Sequence, residues 1–485
     1  MFRSTPRPAL VLTLAGAVAL AACSDDVSGP AVPGAAPAFS EGEATGQYMI
    51  VASAESLPAD LEAKVSAAGG RLESAYPELG VAIATSSDPS FEARAARIAG
   101  VESVTPDLVV RWVGPERVVP FSAGAAAGTP QLQAQVASLA DDEPFYVFQW
   151  APAAVQAPEA WNAGYTGRGV RVAILDGGIY ANHTDLQANV DVAASRSFVP
   201  GTTFNQDLGT FWHGTHVAGI VGAADNGAGV VGIAPNATLV GVKVLHGGSG
   251  AFSWIVDGIY YAARPQSQGG AGADVINMSL GLVVDTKDKS TKKAVKELAK
   301  TIDRATRYAR RQGVTVIAAA GNDGIDFDAE KHLLDIPAGS ANVIAVSATG
   351  PVGWALGNQN FSRPASYTNY GKSLVDLAAP GGDFAYPGNE NCTVTFFVTA
   401  CWVFDMYLST SRGTSAGGDY SWSSGTSMAA PVAAGIAALI IEANGGSMHP
   451  AQVEARLRKG AVDLGKPGRD AYYGHGWVNA YRSIR

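Results

Sequence analysis

Charge and sulfur are scarce in this chain of 485 residues: 16% are Asp, Glu, Lys or Arg, and there are only 3 cysteines and 6 methionines. Lys and Arg number 34 against 43 Asp and Glu, a formal net charge of −9. That balance argues against nucleic acid as a partner, because phosphate binding needs clustered cations. Low charge with 47% hydrophobic residues also argues against a self-repelling disordered chain. Beyond the N-terminus no run of about 20 apolar residues occurs, so nothing else there reads as membrane-spanning. Glycine is abundant, at 57 residues, and the length exceeds one ordinary domain of roughly 100–200 residues. At least two folded units, or one large unit with appendages, are expected.

Residues 1–22 read as an export signal. Arg3 and Arg7 form a positive start, and Ala9 to Ala22 form an apolar stretch too short to span a bilayer comfortably. The sequence Leu20-Ala21-Ala22-Cys23 resembles the bacterial lipobox, which implies a lipid on Cys23 and a membrane anchor; the alternative is an ordinary signal followed by a buried cysteine. Residues 23–45, rich in Pro, Ala, Gly and Ser, suit a flexible tether.

From Tyr48 the pattern becomes regular. An apolar strand at 48–51 precedes Leu57, Leu61, Val65 and Ala68 at helical spacing; strands near 72–76 and 79–84 precede Phe91, Ala95 and Ile98, again helical. Apolar stretches at 101–104 and 108–110 close a β-α-β-β-α-β unit over residues 46–113, the split βαβ, ferredoxin-like α+β arrangement. Residues 114–142, mostly Ala, Gly, Gln, Pro and Ser, read as an exposed linker. Residues 143–485 then alternate apolar strands, at 170–175, 238–244, 273–278, 314–319, 343–347 and 374–378, with helices near 213–224, 251–263, 292–312, 427–443 and 450–460. Continuous apolar strands between helices predict an α/β fold with a mostly parallel sheet covered on both faces. Such a core needs neither metal nor disulfide. The Lys- and Arg-rich stretch 285–311 reads as a solvated helix face.

In an open α/β sheet, ligands bind beyond the carboxyl ends of the strands. One strand ends in Asp176-Gly177-Gly178 and another in Gly321-Asn322-Asp323-Gly324, while helices start at His213-Gly214-Thr215-His216 and at Gly425-Thr426-Ser427-Met428. A serine at a helix N-terminus, a histidine, a strand-end aspartate and an asparagine are the parts of an acyl-transfer site. Taken singly, the Asp and the Asn are ordinary turn residues; the set is what carries the reading. His183 and His216 read as packing or hydrogen-bonding residues.

DGGI, HGTHVAGI, AAAGN and SGTSMAAP, in that order, resemble the subtilisin family of serine proteases from about residue 149 to 480. By this resemblance Asp176, His213 and Ser427 form the catalytic triad and Asn322 supplies the oxyanion hole, with no cofactor required for the chemistry. It further implies that Ser279-Leu280-Gly281 and Ala319-Ala320-Gly321 wall the pocket for the residue before the scissile bond, that Gly248-Ser249-Gly250 pairs with extended substrate, and that Asp335 lies on the pocket floor. A carboxylate there favours Lys or Arg, because a buried charge seeks a partner. Asp185 with the loop 224–230 also resembles the family's calcium site, which implies a structural calcium ion at Asp185 and Asn226 with Gln149 as a further oxygen donor; the alternative is a Gly-rich turn without metal.

Cys392 and Cys401 lie in a stretch, 381–424, that is longer than the family core needs. With Cys23 acylated they are the thiols left in an oxidising setting, and a disulfide closing a hairpin is expected. Residues 46–113 resemble the propeptide that covers the active site of many such proteases. The expectation is therefore an exported, lipid-tethered serine endopeptidase precursor with polypeptide substrates, its own propeptide as inhibitor and no nucleic-acid partner. A maturation protease with one partner substrate and a noncatalytic peptide-binding relative are the alternatives.

Overall fold

The computed structural model describes residues 43–121, 142–287, 292–385 and 390–485. The expectations for the signal, for Cys23 and for most of the linker fall outside the described residues.

The first unit is a four-stranded antiparallel sheet carrying the helices Leu61–Ala67 and Phe91–Ala95. Its strands lie in the order Arg71–Tyr76, Val81–Thr85, Ala44–Ala52, Val101–Arg111. The two closing stretches expected from sequence are one continuous strand, and the first strand starts at Ala44. Successive side chains on a strand point to opposite faces, and here both faces are buried. Ile50, Ala82, Ala84 and Val104 pack on the unit's own helices through Leu61, Val65 and Phe91. Met49, Val81, Ile83 and Val109 pack instead against the larger unit, among Phe252, Ile259 and Ile302.

That larger unit is built on a seven-stranded parallel sheet, in the order Leu377–Pro380, Ile344–Thr349, Thr315–Ala319, Val275–Met278, Arg171–Asp176, Thr238–Lys243, Arg196–Ser197. The helices His213–Gly222, Thr426–Ala443 and Pro450–Gly460 cover one face, and Phe252–Ala263 and Lys292–Arg311 the other. Thr426–Ala443 is long and apolar enough to cross a membrane by composition, but 89% of it is buried here. It is apolar all round because it is enclosed all round.

Two expectations need correction. The helix Lys292–Arg311 does not give its basic face to solvent alone: Lys300 and Arg304 pair with Glu102, Arg307 and Arg311, still exposed, pair with Glu55, and Arg304 also donates to the carbonyls of Ala52, Leu79 and Gly80. The cations hold the first unit through its acids and the carbonyls at its strand ends. Nor is residue 114 the start of an exposed linker. Val118–Phe121 is a strand on the edge of a sheet with Asp419–Ser423 and Tyr407–Ser411, where Pro120 is tolerated because an edge strand need not donate every N–H.

Candidate active site

Asp176 ends its strand at the carboxyl edge of the sheet, 1% exposed. His213 opens the helix His213–Gly222, preceded by Trp212 at φ +49°, a left-handed conformation that a bulky residue rarely adopts. The His213 Nδ1–H donates to Asp176 Oδ2 at 2.8 Å. The carboxylate only accepts, so this bond leaves Nε2 free to take a proton. Ser427 is the second residue of the helix Thr426–Ala443, buried, with its carbonyl accepting from Ser279 Oγ at 2.7 Å. The Asn322 Oδ1 accepts from both the N–H and the hydroxyl of Thr426 at 2.8 Å, which leaves its amide nitrogen facing Gly425, beside Ser427.

The serine hydroxyl is not seated on His213; it lies 3.5 Å from the Ser279 carbonyl. The charge beside Nε2 is Glu116, whose Oε1 is 3.3 Å away, with side chains 10% and 7% exposed. A methyl group on Gly425 would stand 3.4 Å from Asn322 Nδ2 and 3.5 Å from Glu116 Oε1, so the carboxylate reaches the space over the start of the serine helix. Burial opposes a charged His213, but the carboxylates of Asp176 and Glu116 outweigh it and hold its pKa well above the usual range.

Glu116 is carried there by a chain that crosses the whole cleft. On one side Val109, Val110 and Arg111 pair antiparallel with Ala251, Gly250 and Ser249. Trp112 N–H and Val113 N–H donate to the Gly248 carbonyl, the Trp112 carbonyl accepts from Gly281 N–H, and the Trp112 indole donates to the Gly250 carbonyl. On the other side Val118 to Phe121 pair with Ser423 to Tyr420. The small residues expected to bind substrate backbone thus bind this chain's own backbone, by strand addition. Glu116 and the strand after it were missed from sequence. The signal was there: Val118-Val119-Pro120-Phe121 is a short apolar run inside otherwise Ala- and Gly-rich sequence.

Asp335 lies in the strand Leu333–Ile336, paired with Leu282–Asp285, and is 5% exposed. Its Oδ1 would stand 3.6 Å from a methyl on Gly281, and its Oδ2 3.3 Å from one on Gly321. It therefore sits between the two segments, 279–281 and 319–321, named as pocket walls. Neither oxygen has a hydrogen-bond partner of good geometry. Burial, with Asp323 nearby, pushes its pKa well above the carboxylate range, only partly offset by the Ala338 N–H and Asn369.

The oxygens expected to hold calcium accept hydrogen bonds from nearby backbone. Gln149 Oε1 accepts from Val231 N–H, Asn226 Oδ1 from Ala228 N–H and Asp185 Oδ2 from Val230 N–H, with the Tyr420 hydroxyl also bonded to Asp185. The second oxygen of Asp185, Oδ1, is buried without a hydrogen-bond partner. Nearby, carboxylates of Asp142, Glu143 and Asp225 lie within 4.8 Å of one another. Glu143 Oε1 accepts from the N–H groups of Asn226 and Gly227, and its Oε2 is buried without a partner. His183 and His216 are spent on backbone: their Nε2–H groups donate to the Asp419 and Ser421 carbonyls, and burial lowers both pKa values to about 4. Cys392 and Cys401 form a disulfide beneath the hairpin of Asn391–Val394 and Phe397–Ala400.

The model of the subtilase family matches residues 167–476. The alkaline protease of Alkalihalobacillus alcalophilus is 35% identical over 376 residues, 77% of this chain and 78% of that protein. Among solved structures, the epidermin leader peptide processing serine protease of Staphylococcus aureus shares the fold at a TM-score of 0.67 and 23% identity, over 90% of this chain and 97% of that one. A lanthipeptide protease matches at a TM-score of 0.55 and 28% identity, over 70% of this chain and 95% of that one.

Proposed function

Because the chain belongs to the subtilase family of serine proteases, we propose that it is an exported endopeptidase made as a self-blocked precursor, with Ser427 as nucleophile and His213 and Asp176 completing the triad. Ser427 Oγ adds to a peptide carbonyl while its proton passes to His213 Nε2; Asp176 fixes the imidazole and stabilises the imidazolium. The developing oxyanion takes hydrogen bonds from Asn322 Nδ2 and from N–H groups at the start of the serine helix. His213 gives its proton to the departing amine, and water, deprotonated by His213, releases the acyl group. The observation that carries this reading is the Asp176–His213 hydrogen bond set beside the Ser427 helix start. An organophosphonate reagent is expected to label the processed protein once, at Ser427 by peptide mass spectrometry, as casein hydrolysis disappears. Labelling elsewhere with activity intact would overturn it.

Residues 46–121 act as the inhibitor of this site. The backbone from Val109 to Phe121 fills the substrate path, and Glu116 ties up His213 Nε2 as an ion pair. Cleavage in the stretch that follows frees the enzyme, and a lipid on Cys23 would stay with the inhibitor. A bound calcium ion would rest on Asp142, Glu143 and Asp225, where it would offset their mutual repulsion; no step of hydrolysis uses it. The second reading, a protease with one maturation substrate, is favoured by the likeness to a lanthipeptide protease; a processed enzyme that ignores casein but cuts one partner would establish it.

The Glu116 contact has a pH dependence whose sign is fixed. The His213 pKa is raised in the closed precursor, so the ion pair is complete at low pH and is lost as pH rises through that raised value. Glu116→Gln removes one of the two carboxylates that stabilise the imidazolium. The variant is expected to process itself roughly 5–10 times faster than wild type near pH 7, with the difference vanishing at alkaline pH. Following the full-length band on gels between pH 6 and 10 measures it; parallel profiles would refute the role of Glu116.

A further inference from the structure

Phe121 ends the edge strand and is 1% exposed. Its ring is met edge-on by four others: Phe145 at 4.8 Å, Phe397 at 4.9 Å, Trp422 at 5.1 Å and Phe148 at 5.8 Å between centroids. Edge-to-face contact on all sides is the arrangement aromatic rings prefer, and it selects a flat ring over an aliphatic side chain. The four lining residues come from three places: the start of the larger unit, the strand beside Ser427, and the disulfide-closed hairpin in the long insertion. Phe121 itself belongs to a strand that reaches the pocket only by pairing along Asp419–Ser423, the segment leading into the Ser427 helix.

We propose that these rings form a second specificity pocket, on the far side of the scissile bond, which takes an aromatic side chain of a polypeptide substrate about five residues beyond the one beside His213. This rests on the protease reading above. In the precursor Phe121 fills the pocket, as the inhibitor's own copy of that side chain. A cut within residues 122–141 leaves the strand Val118–Phe121 joined to the inhibitor, so its departure opens both the strand-pairing edge and the pocket. Main-chain pairing to Asp419–Ser423 then gives sequence-tolerant binding, and the aromatic pocket gives selection. The insertion that lengthens residues 381–424 thereby acquires a function: its hairpin supplies the Phe397 wall.

The full-length chain is allowed to process itself, the N-terminus of the larger product is sequenced, and that product is assayed with two internally quenched peptides. The peptides are identical except for Phe or Ser at the fifth residue after the position aligned with Glu116. The expected N-terminus lies beyond Phe121, and the Phe peptide is expected to have about a tenfold higher kcat/KM, from burial of one ring. In Phe397→Ala the ratio between the two peptides should fall below about twofold. If that variant does not fold, the wild-type ratio decides alone. A product that begins before Phe121, or equal kcat/KM for the two peptides, overturns the pocket and leaves the protease reading standing. Cleavage of neither peptide nor casein overturns both.

Discussion

Ser427→Ala is expected to lower casein hydrolysis by roughly 10⁶-fold while leaving the fold intact. That figure is the loss established for the nucleophile in subtilisin, a member of the same family, and is carried over to this chain. The physical basis is that acyl transfer has no substitute for the hydroxyl here: the Ser279 hydroxyl is committed to the Ser427 carbonyl and the Thr426 hydroxyl to Asn322 Oδ1. What activity remains comes from Asn322 and the helix start, which polarise the carbonyl for attack by water. The same variant reports on maturation. Purified alone it should stay at full length, because the chain that cuts the precursor is its own; mixed with wild type it should be cut at the wild-type position. Casein hydrolysis equal to wild type would remove Ser427 from the mechanism.

The second large effect concerns Asp335. A buried carboxylate without a good hydrogen-bond partner is costly when ionised, and burial, with Asp323 nearby, holds the Asp335 pKa well above the usual carboxylate range. A Lys or Arg side chain entering between Gly281 and Gly321 supplies the missing charge and hydrogen bonds. Asp335→Asn keeps the shape and removes the charge, and should cost about 2–5 kcal/mol on basic substrates, roughly 30-fold to a few thousandfold in kcat/KM. Aliphatic substrates should change little or improve. The ratio of basic to aliphatic kcat/KM should also rise with pH through the raised Asp335 pKa, because the free pocket must lose a proton to bind a cation. His213 affects both substrates alike and cancels from that ratio. A peptide library in which wild type shows no preference for Lys or Arg, unchanged in Asp335→Asn, would refute the assignment.

The meeting of Asp176 with His213, and of Asn322 with the start of the Ser427 helix, was legible in the chain because each part lies at the end of a local element. A strand that ends in Asp-Gly-Gly, a strand that ends in Gly-Asn-Asp and helices that open on His213 and near Ser427 are short-range patterns. The hydrophobic period places such element ends within a residue or two. The helix expected at 450–460 is the helix Pro450–Gly460, and the strand expected at 238–244 is Thr238–Lys243. The placing of Asp335 between segments 279–281 and 319–321 agrees with what the family resemblance implied. The backbone partners of Asp185 and Asn226 were not legible, because a carboxylate or amide near a Gly-rich loop says nothing about which N–H groups it will accept from: Asp185 accepts from Val230 and Asn226 from Ala228.

The sequence by itself determined the fold class, from hydrophobic period, and the family, from its motifs; it also pointed to the disulfide between Cys392 and Cys401 that the structure contains. Only the tertiary structure decided what fills the cleft. Glu116 lies in a stretch with no helical or strand period of its own, and it reaches His213 because strand edges on either side of the cleft capture the backbone around it. The basic face of Lys292–Arg311 likewise looked solvated until the carbonyls and acids of the first unit were laid against it. Pairing of this kind uses backbone groups that every residue carries, so no side-chain pattern announces it; it exists only once two distant edges have been brought to the same place.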